Sequence, residues 1–207
     1  LIFVDSRVHA QLPHFAYEPR FASNCSMASL AFRNTSFNCN TVGANTVQLI
    51  ATAVNGNIDS ASVVVTVADT IKPTVITQPV TVYLDATGAA SITTADADNG
   101  TADNCSIASL TLNNSSFTCA DVGANTVQLI ATDVNGNVDS ASVVVTVADT
   151  INPTVITQPV TVYLDATGAA SITTADADNG TADNCSIASL ALSNSSFNCA
   201  NVGANTV

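Results

Sequence analysis

The clearest hydrophobic pattern in the chain runs from Thr126 to Val147. Over Thr126–Thr132 apolar and polar residues alternate, which places Val127, Leu129 and Ala131 on the inward face of a strand. Val134-Asn135-Gly136-Asn137 then breaks the alternation, and Asn-Gly is a strong hairpin signal. Val138–Val147 resumes it, with Ala141, Val143, Val145 and Val147 inward and Ser142, Val144 and Thr146 outward. The pattern therefore predicts two antiparallel strands reversed at Asn135-Gly136. Upstream, Thr74–Gln78, Val80–Leu84, Ala90–Thr94 and Ile107–Leu112 read as further short strands. Asp85-Ala86-Thr87-Gly88 is a turn, Asp96–Asn104 an acidic loop, and Phe117 a core plug. About seven short strands in 80 residues predict an all-β, immunoglobulin-like sandwich.

The pattern then recurs. Residues 81–127 and 161–207 are identical at 43 of 47 positions, the differences being Thr111/Ala191, Asn113/Ser193, Thr118/Asn198 and Asp121/Asn201. Residues 48–80 and 128–160 differ only at Ala53/Asp133, Ile58/Val138 and Lys72/Asn152. The offset is constant and gapless, Gln48 falling on Gln128 and Thr81 on Thr161, and only residues 6–23 depart from it. Such a period implies tandem modules: a first over 1–69, a complete one over 70–149 and a third over 150–207. The frame begins and ends inside a copy, as expected of a window on a longer chain. Strand donation between subunits is the alternative, which fits poorly because residues 1–23 do not resemble Gln128–Val147. The linker Ala148-Asp149-Thr150-Ile151-Asn152-Pro153 is short and ends in Pro, so the modules are expected to stack end to end as a semi-rigid rod.

Charge narrows the partners. Sixteen acids face four bases, and no Lys or Arg follows Lys72. Nucleic acid and anionic membrane surfaces both need clustered cations and are excluded. The longest purely aliphatic run, Val143-Val144-Val145, is too short for a transmembrane segment. His9 and His14 both lie in the divergent opening, so no Ser-His-Asp triad can recur with the period. No aromatic sugar platform accompanies any pair of carboxylates.

Six cysteines fall as Cys25/Cys39, Cys105/Cys119 and Cys185/Cys199, with the same short spacing in each pair. Two thiolates without a nearby His do not complete a zinc site. One disulfide inside each module is the expectation, and it places the protein outside the reducing cytosol, secreted or at the cell surface.

The acids are almost all Asp, a residue of turns and of hard-cation sites. Asp96, Asp98 and Asp103 surround Gly100 in one loop, with Asp176, Asp178 and Asp183 their equivalents. Asp133, Asn135 and Asn137 form a second group that Asp149 can join at the module junction. Both are candidate Ca2+ ligand sets, with Asx turns as the alternative. The loop is no EF-hand, because Ile107 stands where a bidentate Glu is required.

Asp103-Asn104-Cys105, Val122–Val127, Ala131–Asn137, Val144–Asp149 and Pro153 together resemble the hyalin-repeat (HYR-like) modules of secreted adhesins of Bacteroidetes-type bacteria. The resemblance covers the chain apart from residues 6–23. It implies an extracellular, immunoglobulin-like adhesion or spacer module without catalysis. Two departures are local: Ala53 replaces the Asp at 133, and Ser23 replaces the Asp at 103. Asp-Ser-Ala and Asp-Thr-Ile resemble an O-glycosylation motif of the same bacteria, which would put sugars on Ser60, Thr70, Ser140 and Thr150 and make a glycoprotein. The function expected is a non-catalytic structural repeat of an extracellular filament or adhesin stalk, its partners being neighbouring modules or copies of itself. The alternative is an adhesion module whose Ca2+-dependent loops bind a glycan or a cell-surface protein.

Overall fold

The computed structural model describes residues 9–11, by backbone alone, and residues 27–207; His14, Ser23 and Cys25 lie outside the described residues. The protein is all-β. Its strands are β1 (His9–Gln11), β2 (Met27–Arg33), β3 (Gly43–Ala53), β4 (Ile58–Ala68), β5 (Val80–Tyr83), β6 (Ala89–Ser91), β7 (Ile107–Leu112), β8 (Ser116–Thr118), β9 (Gly123–Asp133), β10 (Val138–Ala148), β11 (Ala169–Ser171) and β12 (Ser196–Asn198). Single helical turns α1 (Thr94–Ala97) and α2 (Thr174–Ala177) interrupt them.

Two four-stranded sheets have the orders β1-β4-β3-β2 and β5-β10-β9-β7, and β6–β8 and β11–β12 form two-stranded sheets. The hairpin β3–β4 is antiparallel in continuous register from Gly43↔Val67 to Thr52↔Ile58. Its counterpart β9–β10 turns at Val134–Asn137, where the Asn137 carbonyl accepts the Asp133 amide at 3.0 Å. Gly136 sits in that turn at φ 91°, a conformation that disfavours any residue with a Cβ. β5 runs parallel to β10, Val80 facing Val145.

The predicted inward set is buried: Val127, Leu129, Ala131, Val143, Val145 and Val147 are all at most 2% exposed, as is Phe117. Ala141, at the turn end of β10, is only half-buried, and Ser142, Val144 and Thr146 face solvent. Removing such aliphatic side chains from water at about 25 cal/mol per Å2 is the main stabilising term for an aromatic-poor core.

Two predicted elements differ. Thr74–Gln78 is no strand but makes isolated bridges, Thr74 to Ala102 and Thr77 to Asp98. Pro73 and Pro79 bracket the segment, and neither can donate to a ladder. The acidic loop opens with the helical turn α1. Residues 160–163 and 187–192, equivalent to β5 and β7, form no strand, whereas β5 and β7 pair with β10 and β9.

By internal contacts the chain divides into two compact units. One comprises residues 1–78, 97–113 and 128–142; the other comprises 79–96, 114–127 and 143–207.

Candidate metal centre

The acids of the turns do local work. Asp85 accepts from the Thr87 hydroxyl at 2.6 Å and from the amides of Thr87 and Ala89, and Asp165 repeats the same bonds with Thr167 and Ala169. Asp96 Oδ2 accepts from the amide and hydroxyl of Thr93, both at 2.7 Å, and Asp176 does so from Thr173. Asp98 and Asp178 accept from the amides of Thr101 and Thr181. Hydrogen bonds from these threonines hold all six carboxyls below the usual carboxylate range. Asp96 and Asp98 therefore behave as Asx-type turn residues, and the structure does not gather them with Asp103 around Gly100. A short loop with its own backbone donors satisfies its carboxylates before a cation is needed.

A different group converges instead. One carboxylate oxygen from each of Asp69, Asp103 and Asp133 lies within 4.8 Å of the other two, the one such acidic group among the described residues. Asp69 follows β4, Asp103 precedes β7, and Asp133 ends β9. Asp133 is 2% and Asp69 7% exposed.

The hairpin turn after β9 builds half of this site. Backbone amides of Asn135 and Asn137 each donate to Asp133 Oδ1 at 2.8 Å, and Asn137 Nδ2 donates to Oδ2 at 2.8 Å. The same two asparagines reach Asp69. Asn135 Nδ2 donates to its Oδ2 at 2.9 Å, and Asn137 Nδ2 to its carbonyl at 3.2 Å. Asp69 Oδ1 also accepts from the Ile71 amide at 3.1 Å and from Asn104 Nδ2 at 3.3 Å. Asp103 Oδ2 accepts from the Cys105 amide at 2.8 Å, while its Oδ1 is buried and accepts no hydrogen bond.

Of the second predicted set, the structure brings Asn135 and Asn137 to Asp133, where they act as hydrogen-bond donors, and it does not bring Asp149 there. Asp69, one period earlier, takes the place given to Asp149. The reason is strand length. The eleven residues of β10 extend about 35 Å, so a residue just past its end is far from the turn that precedes its start. Asp149 makes the bonds of Asp69 again, accepting from the Ile151 amide at 3.1 Å and from Asn184 Nδ2 at 3.2 Å. Asp183 Oδ2 accepts from the Cys185 amide at 3.1 Å, and its Oδ1 is buried without a hydrogen bond, as in Asp103.

Burial pushes the Asp133 carboxyl up, but the donors from Asn137, Asn135 and Gly136 outweigh that and hold it below the usual range. Three carboxylates this close repel by on the order of 3 kcal/mol for each pair at an effective dielectric of about 20. Lys72, the basic residue nearest in sequence to Asp69, is exposed.

The disulfides overturn the expected pairing. Cys105 bonds Cys39, not Cys119, with Cα atoms 5.3 Å apart; Cys119 bonds Cys185 at 5.4 Å, and each link spans 66 residues. Cys199 is unbonded and exposed. Within a copy, the six residues of β7 carry the chain about 20 Å from Cys105. β8, which leads to Cys119, then pairs in a different sheet. Two Cys can be bridged only at Cα separations under about 7 Å. Asn104 connects the first disulfide to the acidic group: its carbonyl lies 3.4 Å from Cys39 Sγ, and its Nδ2 contacts both Cys105 Sγ and Asp69. Gly88 packs against the second, at φ 75°.

Other predicted positions are simply placed. Ser60, Thr70, Ser140 and Thr150 are all exposed. A cleft lined by Val160, Val162, Leu164, Ile172, Leu192 and Phe197, among others, carries no Asp, Glu, His or Cys. No helix among the described residues is long and apolar enough to cross a membrane. No protein-family model matches the chain, and no curated protein is similar to it.

Proposed function

We propose that the chain is a structural segment of an extracellular filament or adhesin stalk, made of tandem immunoglobulin-like modules that resemble hyalin repeats and lack catalysis. The observation that carries this reading is the pairing of cysteines 66 residues apart in an 80-residue sequence period. Cys39 belongs to one copy and Cys105 to the next, so each bond is a covalent clamp between successive copies. A clamp at every junction suits a part that transmits tension or holds a fixed angle, because pulling on the chain must break a disulfide before copies can separate. An enzyme has no evident use for near-identical copies in series.

Other features agree. Disulfides persist in oxidising, extracytoplasmic surroundings. The exposed hydroxyls at Ser60, Thr70, Ser140 and Thr150 are open to glycan attachment.

Small-angle scattering on chains of two, four and six copies tests the reading. Maximum dimension is expected to rise linearly with copy number and to lose that linearity once the disulfides are reduced. A dimension that levels off with copy number, or the broad distribution of a flexible chain in the oxidised state, would refute the stalk.

A further inference from the structure

We infer that Asp69, Asp103 and Asp133 form a site for one divalent, oxygen-seeking cation, calcium in preference to magnesium. The inference stands apart from the stalk reading, since a cation can bind here whatever the chain does.

Three observations carry it. First, three carboxylates converge within 4.8 Å, two of them on side chains more than nine-tenths buried. Acidic groups gathered this closely repel one another, and a cation between them relieves that repulsion. Second, Asp103 Oδ1 exposes less than 1 Å2 and accepts no hydrogen bond, and Asp183 Oδ1 repeats this at the equivalent position of the next copy. A buried carboxylate oxygen normally has a partner. The remaining oxygens of the group are already served by Asn104, Asn135, Asn137 and the amides of Ile71 and Cys105, which orient the carboxylates as the donors behind a metal centre orient its ligands. Third, the sequence varies as a site would. In the opening copy the equivalents of Asp103 and Asp133 are Ser23 and Ala53, so both carboxylates are replaced together.

Calcium fits better than magnesium. It accepts irregular oxygen cages of carboxylates and carbonyls, whereas magnesium demands near-ideal octahedral geometry and keeps several waters. Carboxylates drawn from two turns and a linker match the former.

The full chain, stripped with chelator, would be titrated with calcium or magnesium calorimetrically and unfolded thermally in each buffer. Calcium is expected to bind and raise the unfolding midpoint, and magnesium to bind more weakly. Asp103→Asn removes one of the three charges and should weaken calcium binding about tenfold or more. The exposed Asp139→Asn should leave it unchanged. Asp133→Asn disturbs the hairpin turn and is not relied on. The Asp103→Asn chain carries a built-in check. In chelator it should be at least as stable as the parent, because repulsion is relieved, and in calcium less stable. Absence of calcium binding, equal affinity in the Asp103→Asn chain, or equal affinity for magnesium would overturn the assignment.

Discussion

The disulfides joining successive copies make the sharpest prediction. The bond between Cys39 and Cys105 closes a loop of 66 residues. Under the chain-entropy relation a loop of that length contributes about 4 kcal/mol at 25 °C, against about 3 kcal/mol for the shorter loop from Cys105 to Cys119. Replacing Cys39 and Cys105 together by Ser is therefore expected to lower the unfolding free energy by about 4 kcal/mol in urea titration. That magnitude alone does not separate the two pairings, but peptide mapping does. Cleavage before Asp leaves Cys25 and Cys39 on residues 5–58, Cys105 and Cys119 on 103–120, and Cys185 and Cys199 on 183–207. With bonds across copies, a non-reduced digest contains these three peptides joined as one species. With bonds inside copies, each peptide runs alone. The double Ser chain should release 5–58 and keep the other two linked. Peptide 103–120 found by itself with both sulfurs bonded would refute the pairing. A loss under about 1 kcal/mol would refute the loop argument.

Two further outcomes follow from the same geometry. A Cβ added at Gly88 would meet Cys119 Sγ at 2.6 Å and the Asn184 carbonyl at 2.8 Å, whereas Gly100, also at positive φ, has nothing within 4 Å. Gly88→Ala should then cost about 3 kcal/mol and Gly100→Ala about 1 kcal/mol by denaturant unfolding, the difference being steric overlap; equal losses would sink this account. For Asp133, a folded pKa below the unfolded one means its stabilisation is present above the ordinary carboxylate pKa and lost as pH falls through the folded value. Stability in chelator, measured by denaturant unfolding, should accordingly fall below about pH 4, and a stability that stays level there would be the contrary result.

Much of the fold was legible in the chain because it depends on neighbours in sequence. The alternation over Thr126–Thr132 and Val138–Val147 set which side chains are buried, since successive residues of a strand face opposite ways. Asn135-Gly136 set the turn, since few other pairs adopt its backbone angles. The period was visible by inspection, and so was the paired loss of two aspartates in the first copy.

The pairing of distant groups was decided only by the tertiary structure. Their short spacing made Cys105 and Cys119 look like partners, yet the extended β7 between them sends each to a different neighbour. Asp149 and Asp133 looked like one site because they lie close in sequence, yet the eleven-residue β10 lies between, and the equivalent Asp69 meets the turn instead. Asp96, Asp98 and Asp103 looked like one ligand loop, yet local threonine donors satisfy the first two and only Asp103 turns toward the buried group. For the cysteines and for Asp149, short sequence distance was misleading for one physical reason: extended chain gains about 3.3 Å per residue, so residues near in sequence are carried apart and their partners come from a neighbouring copy.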